Sequence, residues 1–102
     1  MIIITGRAQV RPDQREAAIS AARDMRKHTI GEPGCLDYCF WSATDDPSAI
    51  LLFEQWQDQP ALQAHLAAPH TAASLAQIGP AVDGTLEVTR FEVSAHGPLF
   101  GR

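Results

Sequence analysis

Cys35-Leu36-Asp37-Tyr38-Cys39-Phe40-Trp41-Ser42 and Ala49-Ile50-Leu51-Leu52-Phe53-Glu54-Gln55-Trp56, separated by Thr44-Asp45-Asp46-Pro47-Ser48, decide the fold. The flanking segments are rich in apolar and aromatic side chains and read as two strands. The segment between them has the Asp, Pro and Ser content of a turn. Together they predict a hairpin over residues 35–56. Strict alternation places Leu36, Tyr38 and Phe40 on one face and Cys35, Cys39 and Trp41 on the other. In the second strand Ile50, Leu52, Glu54 and Trp56 alternate with Leu51, Phe53 and Gln55. Large apolar groups lie on both faces, so both faces need cover.

Toward the N-terminus, residues 2–10 also alternate. Ile2, Ile4, Ala8 and Val10 share one face; Ile3, Thr5, Arg7 and Gln9 share the other. Pro12-Asp13 ends this strand, and Asp13 with Glu16 has the form of a capping box. Ala18, Ala22, Met25 and Thr29, with Ile19 alongside, recur at helical spacing. This helix should stop near Gly31 and Pro33. Arg23, Arg26, Lys27 and His28 fall late in it, where positive charge complements the helix dipole.

Toward the C-terminus, Asp58 is a natural N-cap and Pro60 falls in the first turn. Leu62, His65 and Leu66 form one stripe. Pro69 interrupts the helix, a short piece follows over His70 to Ile78, and Gly79-Pro80 stops it. Residues 85–95 alternate again as a last strand, and 96–102 form an extended tail. The order strand, helix, strand, strand, helix, strand is the ferredoxin-like β-α-β-β-α-β plan, an α+β fold with an antiparallel sheet. Helices cover one sheet face. The other keeps several aromatic groups, and exposed apolar patches mark interfaces. A homodimer joined through sheet faces is therefore expected.

At 102 residues the chain suits one domain, 1–102. A domain of this size buries only about two-thirds of its unfolded surface, so a dimer interface would add useful burial. The net charge of −4 and pI of 5.4 argue against a nucleic-acid partner. No apolar run approaches the ~20 residues of a membrane span, and Met1-Ile2-Ile3-Ile4 lacks the basic start of a signal peptide. A cytoplasmic location is expected. Cys35 and Cys39 on one strand would lie about 13 Å apart at roughly 3.3 Å per residue, too far for a disulfide. No glycine-rich phosphate loop occurs, and His65 and His70, five apart, share no helical face. Neither a metal nor another cofactor is expected.

His65 leads the candidate site residues, because its stripe turns it inward and a histidine titrates near neutrality. It could take a phenolic proton as general base, or it could be a core histidine bonded to backbone or side chain. Trp56 could wall an aromatic pocket or pack in the interface. Glu54, on its face, needs a partner such as Arg7 or Arg90. Tyr38 could bond a substrate oxygen or lie in the interface. Arg7 could bind an acidic ligand group or form an intersubunit pair. His70 could border the pocket mouth or be exposed, and Phe53 could shape the pocket.

Glu32-Pro33-Gly34-Cys35-Leu36-Asp37-Tyr38, Asp46-Pro47, Phe53-Glu54-Gln55-Trp56-Gln57-Asp58 and Ala64-His65-Leu66-Ala67-Ala68-Pro69-His70 occur in this order. They resemble the antibiotic biosynthesis monooxygenase family of dimeric α+β barrels. The resemblance is dense over 32–70. It implies a dimeric barrel, and in some relatives oxygenase chemistry on phenolic, quinol or anthrone-type aromatics without a cofactor. Other relatives degrade haem or isomerise small signalling sugars. The haem-degrading branch uses an asparagine on the first strand, a tryptophan on the later helix and a histidine ligand beyond it. This chain has no asparagine. It offers Thr5 and Arg7 on the first strand, His65 in the tryptophan position, and Leu75 near the ligand position. Haem degradation is not expected. The asparagine of some oxygenase pockets is missing too.

The expected activity is a cofactor-independent monooxygenation of a small aromatic or quinol-like molecule. His65 would be the base, and Trp56, Tyr38 and Phe53 would shape the pocket. An isomerase or a small-molecule binding protein using the same pocket is the alternative, and a dimerisation module with a dry core is a third.

Overall fold

Strand β1 (Ile2–Val10) carries the alternation into three dimensions, with Ile2, Ile4, Ala8 and Val10 buried. In the computed structural model, which describes residues 1–101, α1 (Arg15–Thr29), β2 (Cys35–Ser42), β3 (Ala49–Trp56), α2 (Gln59–Ala67), α3 (Pro69–Ile78) and β4 (Val82–Glu92) follow. The four strands form one antiparallel sheet in the order β2-β3-β1-β4. This is the ferredoxin-like arrangement that the element order predicts.

Helix α1 buries Ala18, Ala21, Ala22, Met25 and Thr29. Its alanines allow close approach to the sheet. Ile2, Ile4, Met25, Tyr38, Trp56 and Leu62 form the main core cluster. A smaller one joins Val10, Ala18 and Ala81. The capping box does not form. Asp13 lies in a 3-10 turn, and the N-cap is Gln14, which makes no side-chain cap bond. Asp58 does cap α2, accepting from the Ala61 N–H at 3.0 Å.

The face assignment in β2 is corrected by its pairing. Cys35 lies opposite Trp56 and Asp37 opposite Gln55, so Leu36 is an extra residue in the ladder. A bulge of this kind resets the alternation. Cys35 therefore packs against the core cluster with Phe40, while Leu36 is exposed. Strand β4 begins three residues before the predicted start and ends three before the predicted end. Past Val82 every one of its residues is exposed.

Pro69 splits α2 from α3, since proline has no N–H to offer the carbonyl four residues earlier. That carbonyl belongs to His65. It accepts instead from the Thr71 hydroxyl at 2.6 Å and from the Ala68 N–H at 3.1 Å. No helix among the described residues is long and apolar enough to cross a membrane.

Candidate functional site

The bulge and Gly34 bring the loop before β2 under α2. Gly34 has φ +79°, a conformation glycine adopts without strain. Its carbonyl accepts from the Gln57 N–H at 2.8 Å. This clip sets Glu32 beside the helix pair. The Glu32 carboxylate Oε2 lies 2.7 Å from His65 Nδ1 and 3.0 Å from His70 Nε2.

His65 is buried and packed between aromatic rings. Its centroid is 4.7 Å from that of Trp56 and 5.5 Å from that of Tyr38. Its Nε2 faces Glu54 Oε1 at 3.9 Å, too long for a hydrogen bond. Glu54 accepts instead from the Trp56 indole N–H at 2.8 Å. The row Tyr38–Glu54–Ile4 crosses three strands, which places both polar groups on the helix-covered face.

Burial pushes the Glu54 carboxyl above the usual carboxylate range and Glu32 adds to the rise, while the Trp56 hydrogen bond and His65 oppose it. Burial also raises the Tyr38 phenol, with Glu54 next in effect. Tyr38 is thus a donor at neutral pH. The Cys35 thiol is pushed up to about 11, first by burial and then by the charge of Glu32.

Beside this network, between the sheet and helices α1 and α3, lies a cavity of about 500 Å³. Its lining is mostly apolar and includes Ala8, Phe40, Leu52, Leu75 and Ile78. Gly6, in the middle of β1, adds no side chain to its floor. Tyr38 lines the cavity on one side and meets His65 on the other. Among the described residues its hydroxyl makes no hydrogen bond.

The expected site residues therefore divide. Tyr38 reaches the cavity. His65 stands one ring behind it. Trp56 is fully buried and does not line the cavity. Phe53 pairs with Thr5 and Cys39, on the face away from His65. Arg7 borders the cavity beside Gly6, but strand alternation sends its exposed side chain to the opposite face. His70 is partly buried, bound to Glu32, and stacked on His28 at 5.6 Å. Glu54 has neither Arg7 nor Arg90 as partner; Arg90 bonds Gln59 and Glu92.

Sequence reasoning missed Glu32, which sits 33 positions from its partner His65. The one signal for it was the inward histidine, which had to find a polar partner somewhere. Spacing along one helix also gave no metal-ligand set. The break at Pro69 changes that: single donor atoms of Glu32, His65 and His70 lie within 4.8 Å of one another, a group able to hold a metal ion.

The family model described as "Antibiotic biosynthesis monooxygenase" matches residues 1–77. The chain is 30% identical over 69 residues to the uncharacterized protein sll1783 of Synechocystis, a match covering 68% of this chain and 47% of that one. The chain thus spans about half the length of that relative. It is 26% identical over 94 residues to the Bacillus subtilis protein named "Putative monooxygenase YcnE", covering 92% and 99% of the two chains. The solved structure of Rv0793 from Mycobacterium tuberculosis superposes with a TM-score of 0.87 at 27% identity, covering 95% of this chain and 98% of that one.

Proposed function

This chain belongs to the antibiotic biosynthesis monooxygenase family, and from that premise we propose that it is a cofactor-independent monooxygenase of a small aromatic, quinol-like molecule. The observation that carries this reading is Tyr38, a protonated donor with one side on an apolar cavity and the other on His65. The cavity volume is within the range of small-molecule sites.

In this reading the substrate lies against Leu52 and Phe40 with its phenolic oxygen toward Tyr38. The Tyr38 hydroxyl donates to the oxyanion as it develops. His65, oriented by Glu32 and one ring behind Tyr38, is the base of this reading, and the phenolic proton travels to it through a water relay past the Tyr38 ring. The resulting phenolate or dienolate is electron-rich enough to reduce oxygen itself. For an anthrone-type substrate, one atom of O2 becomes the new carbonyl oxygen. The other leaves as water with the two hydrogens lost from the ring carbon.

The test is oxygen consumption with a panel of quinols and anthrones, using chelator-treated protein. Turnover should survive the chelator, fall about 10²–10³-fold in Tyr38→Phe, and fall with His65→Ala. Loss of all activity on chelation, restored by a divalent metal, would transfer the chemistry to Glu32, His65 and His70. No oxygen uptake with any substrate would overturn the assignment.

The full burial of His65 favours a second reading, in which the histidine only braces the wall and the cavity binds or isomerises its ligand without oxygen. Tight binding with no oxygen uptake would select it.

We also infer a homodimer through the helix-free sheet face, giving a dimeric α+β barrel. Its support is the set of exposed Trp41, Leu51 and Phe91 on that face, a surface of the kind that marks interfaces. Light scattering after size exclusion tests it, and a monomer at micromolar concentration would refute it.

A further inference from the structure

Four arginines border the cavity, with no aspartate, glutamate or lysine among its described lining; Arg7 sends its side chain to the opposite sheet face, which leaves Arg15, Arg23 and Arg26 as the charges at the cavity. Over the whole chain the balance is the reverse, with 12 acidic residues against 8 basic. The enrichment is local and of one sign.

Three of these arginines belong to α1 and share its cavity side with Ile19 and Ala22. The spacing 15, 19, 22, 26 is one helical stripe. Arg15 is anchored: its Nε donates to the Pro47 carbonyl at 2.6 Å and its Nη2 to Ser42 Oγ at 3.4 Å. Arg23 and Arg26 are exposed, and among the described residues neither has a carboxylate or other hydrogen-bond partner. The helix dipole accounts for positive charge in the last turn, at Arg26, Lys27 and His28. It does not account for Arg15, the first residue of α1, where positive charge is disfavoured. Nor does it explain why the basic side chains line an apolar cavity.

We propose that the ligand of this cavity is an organic acid, an apolar ring body carrying a carboxylate that Arg23 and Arg26 hold at the mouth, with Arg15 adding to the field. The proposal rests on the cavity being the ligand site of the preceding reading and narrows its substrate class. The ring body fits the apolar floor formed by Ala8, Phe40 and Leu52. The carboxylate stays at the partly solvated rim, where a planar guanidinium can grip both of its oxygens. The acid end then faces α1, and the ring oxygen is left for Tyr38 on β2.

The test is calorimetric binding of 3-hydroxy-2-naphthoate, its methyl ester and 2-naphthol. The acid should bind at least about tenfold tighter than the ester at low salt, and the gap should shrink in 0.5 M NaCl, roughly as exposed charges are screened. In Arg23→Gln/Arg26→Gln the acid should fall to the level of the ester, whose own affinity should not change. Lys27→Gln, one charge removed on the same turn but off the cavity, should leave the gap intact. Equal binding of acid and ester to the wild-type protein overturns the proposal and leaves the aromatic cavity standing. A gap that survives the double variant, or closes as far in Lys27→Gln, also overturns it. If none of the three compounds binds, the aromatic reading of the cavity fails, and the proposal fails with it.

Discussion

The indole N–H of Trp56 donates a 2.8 Å hydrogen bond to Oε1 of Glu54, two residues earlier on the same strand face. Trp56 has no exposed surface, and Glu54 keeps 6% of its own. A carboxyl this deep depends on its donor. Trp56→Phe removes the donor and leaves space where the indole was. The expected loss is about 2–4 kcal/mol, read as a lower urea midpoint. Glu54→Gln in the same background should recover part of it, because a neutral amide needs the donor less. Additive effects in that double variant would refute the coupling.

Glu54 also makes stability depend on pH. The unfolded chain holds this carboxyl near its ordinary 4.5, and the folded protein holds it higher. Between the two values the folded form binds the extra proton. Stability from this group therefore falls as pH rises above 4.5 and levels off beyond the folded value. Glu54→Gln lacks this term. Denaturant titrations of both proteins across this range should show the wild type losing ground to the variant as pH increases. A difference that grows in the other direction sinks the assignment.

Gly34 is a second pressure point. A methyl group there would lie 2.5 Å from the Ala61 Cβ, in a backbone conformation that disfavours side chains. Gly34→Ala should cost about 2–4 kcal/mol. It should also disturb the Glu32 loop and so the His65 environment. The His65 proton resonances report the second effect, and unchanged resonances would separate the loop from the site.

Thr29 is fully buried at the end of α1, and among the described residues its hydroxyl has no partner. Thr29→Val keeps the shape and removes the unpaired group. A gain of about 1 kcal/mol is expected from denaturation curves. A loss would mean that the hydroxyl is bonded in solution.

Leu51 is exposed on the helix-free face, next to Phe53 in β3. Leu51→Glu places a charge where the dimer is proposed. Light scattering should record a monomer, with far-ultraviolet dichroism unchanged. A dimer that persists would move the interface elsewhere, with β4 and its exposed Leu86 and Val88 the next surface to probe.

The strand phase of β1 was legible because alternation is local and nothing interrupts it before Val10. The same rule failed in β2. The extra residue at Leu36 is a property of the pairing with β3, and periodicity within one strand cannot reveal it. The inward turn of His65 was legible from Leu62, three residues earlier, whereas Leu66, expected on the same stripe, is exposed. The partner of His65 was not legible, since Glu32 reaches it only through the left-handed turn at Gly34 and the clip to Gln57. The closeness of His70 to Glu32 and His65 was not legible for a related reason: helical spacing does not hold across Pro69, where the helix ends.

What the sequence determined by itself is the order of elements, the apolar face of β1 and the motif that resembles the family. Each of these is written in neighbouring residues, through periodicity, capping and turn chemistry. Tertiary structure alone decided that Glu32, Glu54, His65 and Trp56 form one buried network, that Phe53 faces away from it, and that arginines of α1 line a cavity. Those relations join residues tens of positions apart. They depend on register, bulges and helix placement, quantities set by the packing of the whole chain.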